Sequence, residues 1–248
     1  MNRKTSLLCA FVFAASCAAW LSVGAQQLTR KTFSDGSGSI GLAPGYHITS
    51  SGNGAVVAAG PHGAGVVLGM TVPCVTRDVA RYYPDIPSEA LFPGSPRLDF
   101  TDVARAAVDL IQYTGRTSAS IENLKIKAVE RFKVPNGKGA FIRYSATLNG
   151  KKMEVFGLYE ILPVDQVSGM FYYSAVSANK ESYASSLPTM MKMWQSWSLN
   201  KATIKKRLQD ATNALANIDV KGTTDSILAE RRRVAEKAAE DVDEYIRE

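Results

Sequence analysis

Histidine occurs twice and cysteine three times in 248 residues. Cys9 and Cys17 lie in an N-terminal run that reads as a removable segment, so the mature chain keeps Cys74 alone. One thiol makes no intramolecular disulfide, and the fold must stand on its apolar core. Two histidines and one cysteine do not make up a zinc site of His and Cys ligands. His47 falls in a strand pattern and His62 in a turn, where a lone histidine is ordinarily structural. Cys74, in "TVPCV", reads as a small strand-end residue, because no histidine neighbours it to make a thiolate. No Gly-x-Ser-x-Gly elbow occurs, and "DGSGSIG" lacks its spacing. No catalytic residue, metal site or cofactor site is assigned from these residues.

Glycine raises one further question, at "AVVAAGPHGAGVVLGM" (55–70). A phosphate loop needs a lysine and a hydroxyl after its last glycine, and here Val66 and Val67 follow. A dinucleotide loop needs a helix behind it to face the pyrophosphate, and here a strand pattern follows. "GPHGAG" is therefore expected to turn the chain between two strands.

Residues 1–25 are expected to be a signal peptide. Asn2-Arg3-Lys4 gives the positive start, Ser6 to Ala25 carries no charge, and Val23 and Ala25 precede Gln26 as a peptidase requires. The run is long enough to span a bilayer, so an uncleaved membrane tether is the alternative. Cys17 after "AAS" gives only a faint lipidation signal, with Ala14 where leucine is expected. Losing Arg3 and Lys4 with the signal lowers the formal charge from +6 to +4. That excess suits solubility and does not argue for nucleic acid.

Residues 26–32 read as a linker, 33–199 as the main domain and 200–248 as a helical tail. The domain opens with short runs, "SIGL", "YHIT", "AVVAA" and "VVLGMTV", separated by turn clusters, which predicts an antiparallel meander. Residues 73–98 hold several prolines and read mostly as loop. "DFTDVARAAVDLIQYTG" predicts a helix with Val103, Ala107, Leu110, Ile111 and Thr114 on one face and Gly115 just past its end. "NLKIKAVERFKV" alternates loosely. "AFIRYSATL" alternates well, with Ile142, Tyr144, Ala146 and Leu148 sharing a face. Asn149-Gly150 then marks a tight hairpin into "KKMEVFGLYEILPV". "GMFYYSAVSA" gives one more strand. "NKESYASSLPTMMKMWQSW" predicts a helix, restarting at Pro188, with Leu187, Met190, Met191, Trp194 and Trp197 as its apolar face. This methionine-rich face reads as core.

The tail holds one glycine, no proline, and ten basic and ten acidic residues. Ile204, Leu208, Ala211 and Leu215 fall in one helical stripe, and Ile227, Val234, Ala238, Val242 and Ile246 in a second. These stripes predict a helical hairpin or extended helices that pack on each other, on the domain, or on another protein. Ile204, Leu208, Leu215, Ile227, Val234, Val242 and Ile246 are the candidate interaction residues. "AERRRVAEKAAEDVDEYIRE" carries too many acids for a basic membrane-binding helix.

Segregated strand and helix groups predict an α+β fold, an antiparallel sheet packed by helices. That order, with Pro44-Gly45-Tyr46 in "SIGLAPGYHIT" and the closing "LPTMMKMWQSWSL", resembles the PsbP-like family over about residues 33–199. The resemblance implies a PsbP-like sandwich and an extracytoplasmic binding or assembly role, and brings no catalytic residue. The expectation is an exported, non-catalytic binding or assembly protein of the bacterial envelope, periplasmic or secreted. Its working surface would be a cleft between sheet and helix, or the tail meeting an envelope protein. A secreted hydrolase with a site near His47 is the competing expectation.

Overall fold

The computed structural model describes residues 27–216 apart from 88–89, 118–119 and 135–136. The expected signal peptide and the second stripe of the tail, Ile227, Val234, Val242 and Ile246, lie outside the described residues. Asn149 and Gly150 take φ of 48° and 78°, the pair of positive values that a tight hairpin turn demands. They join β8 (Gly137–Leu148) to β9 (Lys151–Pro163), pairing Leu148 with Lys151 and Ala140 with Tyr159. β7 (Ile121–Val134) flanks β8, and β10 (Ser168–Asn179) flanks β9. β7 is the loosely alternating stretch, and two register shifts against β8 account for its uneven pattern.

The glycine-rich front of the chain forms the other half of the same sheet. β3 (His47–Gly52), β4 (Ala55–Ala59) and β5 (Gly65–Thr76) follow as hairpins, and β5 joins β10. "GPHGAG" is the β4–β5 turn, a single 3-10 turn at Pro61–Gly63. The order is β3-β4-β5-β10-β9-β8-β7, antiparallel throughout, with the short β6 (Arg97–Leu98) parallel to the end of β5. The proline-rich stretch therefore begins inside a strand. Pro73 is tolerated because β4 has already ended, so its missing N–H faces no partner strand.

A second, three-stranded sheet joins β1 (Thr29–Thr32), β2 (Gly38–Leu42) and β11 (Ser198–Leu199). β1 takes residues read as linker into this sheet, because β2 is buried along its whole length and needs a partner on each side.

Two helices cover opposite faces of the large sheet, giving the α+β sandwich. α1 (Val103–Thr117) lies on the front face over Ile142, Tyr159, Ile161 and Phe171. Asp102 caps it by accepting from the Ala104 N–H at 2.8 Å. The helix runs through Gly115, expected just beyond its end, and stops at Thr117. α2 (Tyr183–Ser196) lies on the back face, packed on β5 and β10 with β2 of the small sheet against its other side. It is continuous through Pro188, which lies in its second turn and does not restart it. Being enclosed on two sides, α2 buries Met193 as fully as Met190. Trp197 is not on the helix: it is extended, and its Nε1 donates to the Gly54 carbonyl at 3.0 Å.

One bulge reconciles the two halves. Met70 pairs with Tyr173 and Val67 with Ala175, so β5 carries an extra residue opposite Ser174. Gly69, at φ 68°, supplies it, and the Trp197 ring lies 2.7 Å from where its Cβ would be. The bulge reverses the alternation of β5. Val66 and Leu68 face α2, whereas Cys74 faces α1. α3 (Lys201–Ala216) leaves after β11.

Candidate functional site

The front face does not fill completely beneath α1. A half-open cleft of about 220 Å³ runs between the helix and strands β8, β9 and β10. Its helix wall is Leu110, Ile111 and Thr114, from the face that the sequence predicts. Its sheet wall includes Tyr144, Ala146 and Leu148, also the predicted face of "AFIRYSATL". The cause of the void is side-chain size. α1 buries Ala104, Ala106 and Ala107 against the sheet, and of these Ala107 lines the cleft, where alanine reaches too short a distance to fill the layer.

Three tyrosines, with Thr114 and Ser177, make the polar part of the cleft. The hairpin register places Tyr144 on β8, Tyr159 on β9 and Tyr173 on β10 on one face. Tyr159 and Tyr173 stack with ring centroids 6.2 Å apart and planes within 11°. Gly157 makes room for this: a Cβ there would lie 2.8 Å from the Tyr159 ring. Burial pushes all three phenols above their ordinary value, Tyr159 furthest. They are therefore neutral O–H groups at any physiological pH. No residue lining the cleft carries a charge. Tyr144 lies on a face the sequence identifies; Tyr159 and Tyr173 were missed. Extending the Asn-Gly register across β9 would have brought Tyr159 to the same face.

The reactive residues weighed in the sequence lie elsewhere. Cys74 is buried, its Sγ donates to the Gly169 carbonyl at 3.3 Å, and burial pushes the thiol up to about 12. A thiol so placed is a core group rather than a nucleophile. His47 is exposed on β3, the outermost strand, and His62 is exposed in the β4–β5 turn at φ 55°. Neither lines the cleft. Among the described residues no cluster of three His, Cys, Asp or Glu could hold a metal ion.

The back face carries two buried glutamates on β9. Glu154 pairs with Lys127 and, at 3.8 Å, with Arg143. Glu160, only 4% exposed, has no hydrogen bond at Oε2, and burial pushes its carboxyl up to about 7. A row of rings, Phe132, Phe141, Phe156 and Trp194, crosses this face with successive centroids 5.4, 5.9 and 6.4 Å apart.

Of the candidate interaction residues, Ile204 is half-buried, and its Cδ1 would lie 3.2 Å from a Cβ on Gly54. Beside it Arg207 donates to Asp35 at 2.6 Å and to Asn53 Oδ1 at 2.9 Å. Hydrogen bonds from Ser37 and Asn53, together with Arg207, hold the Asp35 carboxyl far below its usual range. The first turns of α3 are thus seated on the domain. Leu208 and Leu215 lie further along the same helix. No helix among the described residues is long and apolar enough to cross a membrane.

No family model matches the chain, and no curated protein does. Solved structures match in part. Cyanobacterial PsbP from Synechocystis is 12% identical, with 72% of this chain and 95% of that one covered and a TM-score of 0.36. LpqN of Mycobacterium tuberculosis, described as involved in cell envelope biogenesis, is 10% identical over 70% and 90%, with a TM-score of 0.34. The Ran-binding protein Mog1p of Saccharomyces cerevisiae is 10% identical over 71% and 98%, also with 0.34. The family that the sequence resembles is thus among the matched structures, at scores too low to bear on function. What the chain does has to be argued from the cleft.

Proposed function

We propose that the chain is an exported, non-catalytic binding or assembly protein of the bacterial envelope, and that the cleft between α1 and the sheet is its binding site. The observation that carries this is a preformed, half-open void of about 220 Å³ with aliphatic walls and a few hydroxyl-bearing side chains. Concave, mostly apolar sites with a few placed polar groups are where small ligands are held. Support for export comes from the uncharged run before Gln26. The absence of catalysis is supported by the lining, which offers no carboxylate, histidine or thiol to act as base or nucleophile.

The test is binding of 1-naphthylamine, a small uncharged fluorophore whose emission rises in apolar surroundings. The wild-type chain is expected to enhance its emission saturably. Ala146→Phe, which places a ring in the cleft from β8, is expected to weaken that binding at least ~10-fold with the circular dichroism unchanged. Equal binding by a folded Ala146→Phe chain would remove the cleft as the site.

A second use is supported by the apolar stripe that the sequence places at Ile227, Val234, Val242 and Ile246, outside the described residues. It is an arm for an envelope protein. A partner retained by the full chain and lost by a chain ending at Ala216 would establish it. Cutting there rather than at 199 keeps Arg207 on Asp35 and so leaves the domain intact.

A further inference from the structure

We infer that the cleft takes a neutral, medium-sized apolar molecule whose leading end is a hydrogen-bond acceptor of the carbonyl type, as in a ketone, ester or quinone. This rests on the cleft being the binding site and names the chemistry it selects.

The floor and the walls differ. Tyr159 is 4% exposed, lies in the core cluster beneath α1, and forms the floor with Tyr144 and Tyr173 beside it. Leu148, 37% exposed, lies at the open side with Ile121, so the mouth is apolar. An entering molecule therefore meets aliphatic surface at Leu148 before it reaches the buried Tyr159. A phenol has one O–H donor. Tyr144, Tyr159 and Tyr173 bring three such donors to the cleft, and Ser177 on β10 adds a fourth hydroxyl. Neutral O–H groups in an uncharged, largely aliphatic cleft suit a carbonyl oxygen, which has two lone pairs to accept from them. The hydroxyl of Thr114 does not compete, since it donates to the Leu110 carbonyl at 3.0 Å in its own helix.

Charge is excluded by the same inventory. No lysine, arginine or histidine lines the cleft to accompany a carboxylate, and no aspartate or glutamate to accompany an ammonium. Bringing an unpaired ion to the floor costs far more than neutral hydroxyls return. Size follows from volume. A cavity of about 150 Å³ holds benzene, so this one holds roughly nine heavy atoms, with more chain leaving through the mouth.

Displacement of 1-naphthylamine from the full chain by four eight-carbon probes tests this. The probes are 2-octanone, octane, octanoate and octylammonium. The ketone is expected to compete best, with octane about 3- to 10-fold weaker and both ions weaker still. Tyr159→Phe is expected to weaken the ketone by a similar factor and leave octane unmoved. Tyr173→Phe, at the half-buried ring, provides the same split if Tyr159→Phe loosens the core. Fluorophore binding with octanoate competing as well as 2-octanone overturns the ligand class and leaves the cleft standing. A tyrosine variant that weakens ketone and alkane alike also overturns it. No fluorophore binding at all overturns the cleft itself, so the two failures are distinct.

Discussion

α1 turns Val103, Ala104, Ala106 and Ala107 to the front face of the large sheet, whereas α2 turns Tyr183, Met190 and Met193 to the back. Both helices sit on antiparallel strands of one sheet, and both are amphipathic. The difference is reach. Methionine is long and adaptable, and on the back face Met190 and Met193 are completely buried against Val56, Val66, Leu68 and Val176. Alanine stops one carbon from the backbone, and on the front face the layer is completed by tyrosines from below, which bring hydroxyls with them. A solid face and a cleft thus arise from the same architecture. The back face stabilises the fold, and the front face trades some of that packing for space.

Truncation is the strongest way to break this contrast. Met190→Ala removes a fully buried side chain from a closed layer, and a loss of about 3 kcal/mol is expected. Leu110→Ala removes a half-buried side chain beside an existing void, so about 1 kcal/mol is expected. Denaturant midpoints at constant slope measure both. Equal losses would mean that the front face is as tightly packed as the back and that the cleft is closed in solution.

The join between the faces gives the next effect. Gly69 holds φ 68° in the bulge, under the Trp197 ring. Gly69→Ala adds a Cβ to a left-handed residue and forces that ring away, so a loss of at least ~2 kcal/mol is expected. Beyond the bulge, β5 presents Cys74 to α1 instead of α2. If Gly69→Ala were neutral, the reversal of alternation would not depend on this residue. A variant that also loses 1-naphthylamine binding would show that the bulge sets the cleft as well as the fold.

These particulars show what was legible beforehand. The Asn149-Gly150 hairpin and the face of "AFIRYSATL" follow from local rules, because a two-residue turn dictates its register and a strand its alternation. From them, together with the expected apolar face of α1, about half of the cleft wall could be named. Tyr159 could have been added by counting across the hairpin. Tyr173 could not, since its place depends on how β10 pairs with β9 through a four-residue loop. β1 reads as linker because its partner, β2, comes from a buried layer that no local pattern reveals. Trp197 and Met193 exchanged roles for a similar reason: α2 is covered on two sides, so burial does not follow one stripe. The void was not legible at all. It is a difference between helix and sheet side-chain volumes, and it exists only once the two are placed together.

Glu160 tests whether the back face is uniformly solid. Its carboxyl is pushed from an ordinary 4.5 up to about 7 by burial, with no partner at Oε2. A carboxyl raised in the folded state favours folding in its protonated form. Its contribution is therefore complete below pH 4.5 and is lost as the pH rises through 7. The wild-type chain is expected to lose about 1–2 kcal/mol between pH 5 and pH 8 through this group. Glu160→Gln, which cannot ionise, should flatten that part of the profile. An unchanged slope in the variant would locate the pH dependence elsewhere.

The smallest expected effect concerns the edge of the solid face, where the chain leaves it. Arg207 on α3 reaches back to Asp35 and Asn53 at the turns that flank β2 and β3. The guanidinium side chain is 40% exposed, so solvent screens the pair and Arg207→Ala is expected to cost no more than about 1 kcal/mol. Its value is positional. The same Asp35 carboxylate accepts from the Asn53 N–H at 2.7 Å and the Ser37 hydroxyl at 2.6 Å, so one anion ties the first turns of α3 to two loops of the domain. Arg207→Ala should therefore raise hydrogen exchange at residues 201–207 and leave α1 and the cleft unaffected. Exchange that rises equally in α1 would mean that the two faces are coupled through the sheet. Exchange confined to α3 would mark the seating of the tail as a local latch, separable from the ligand site on the other side.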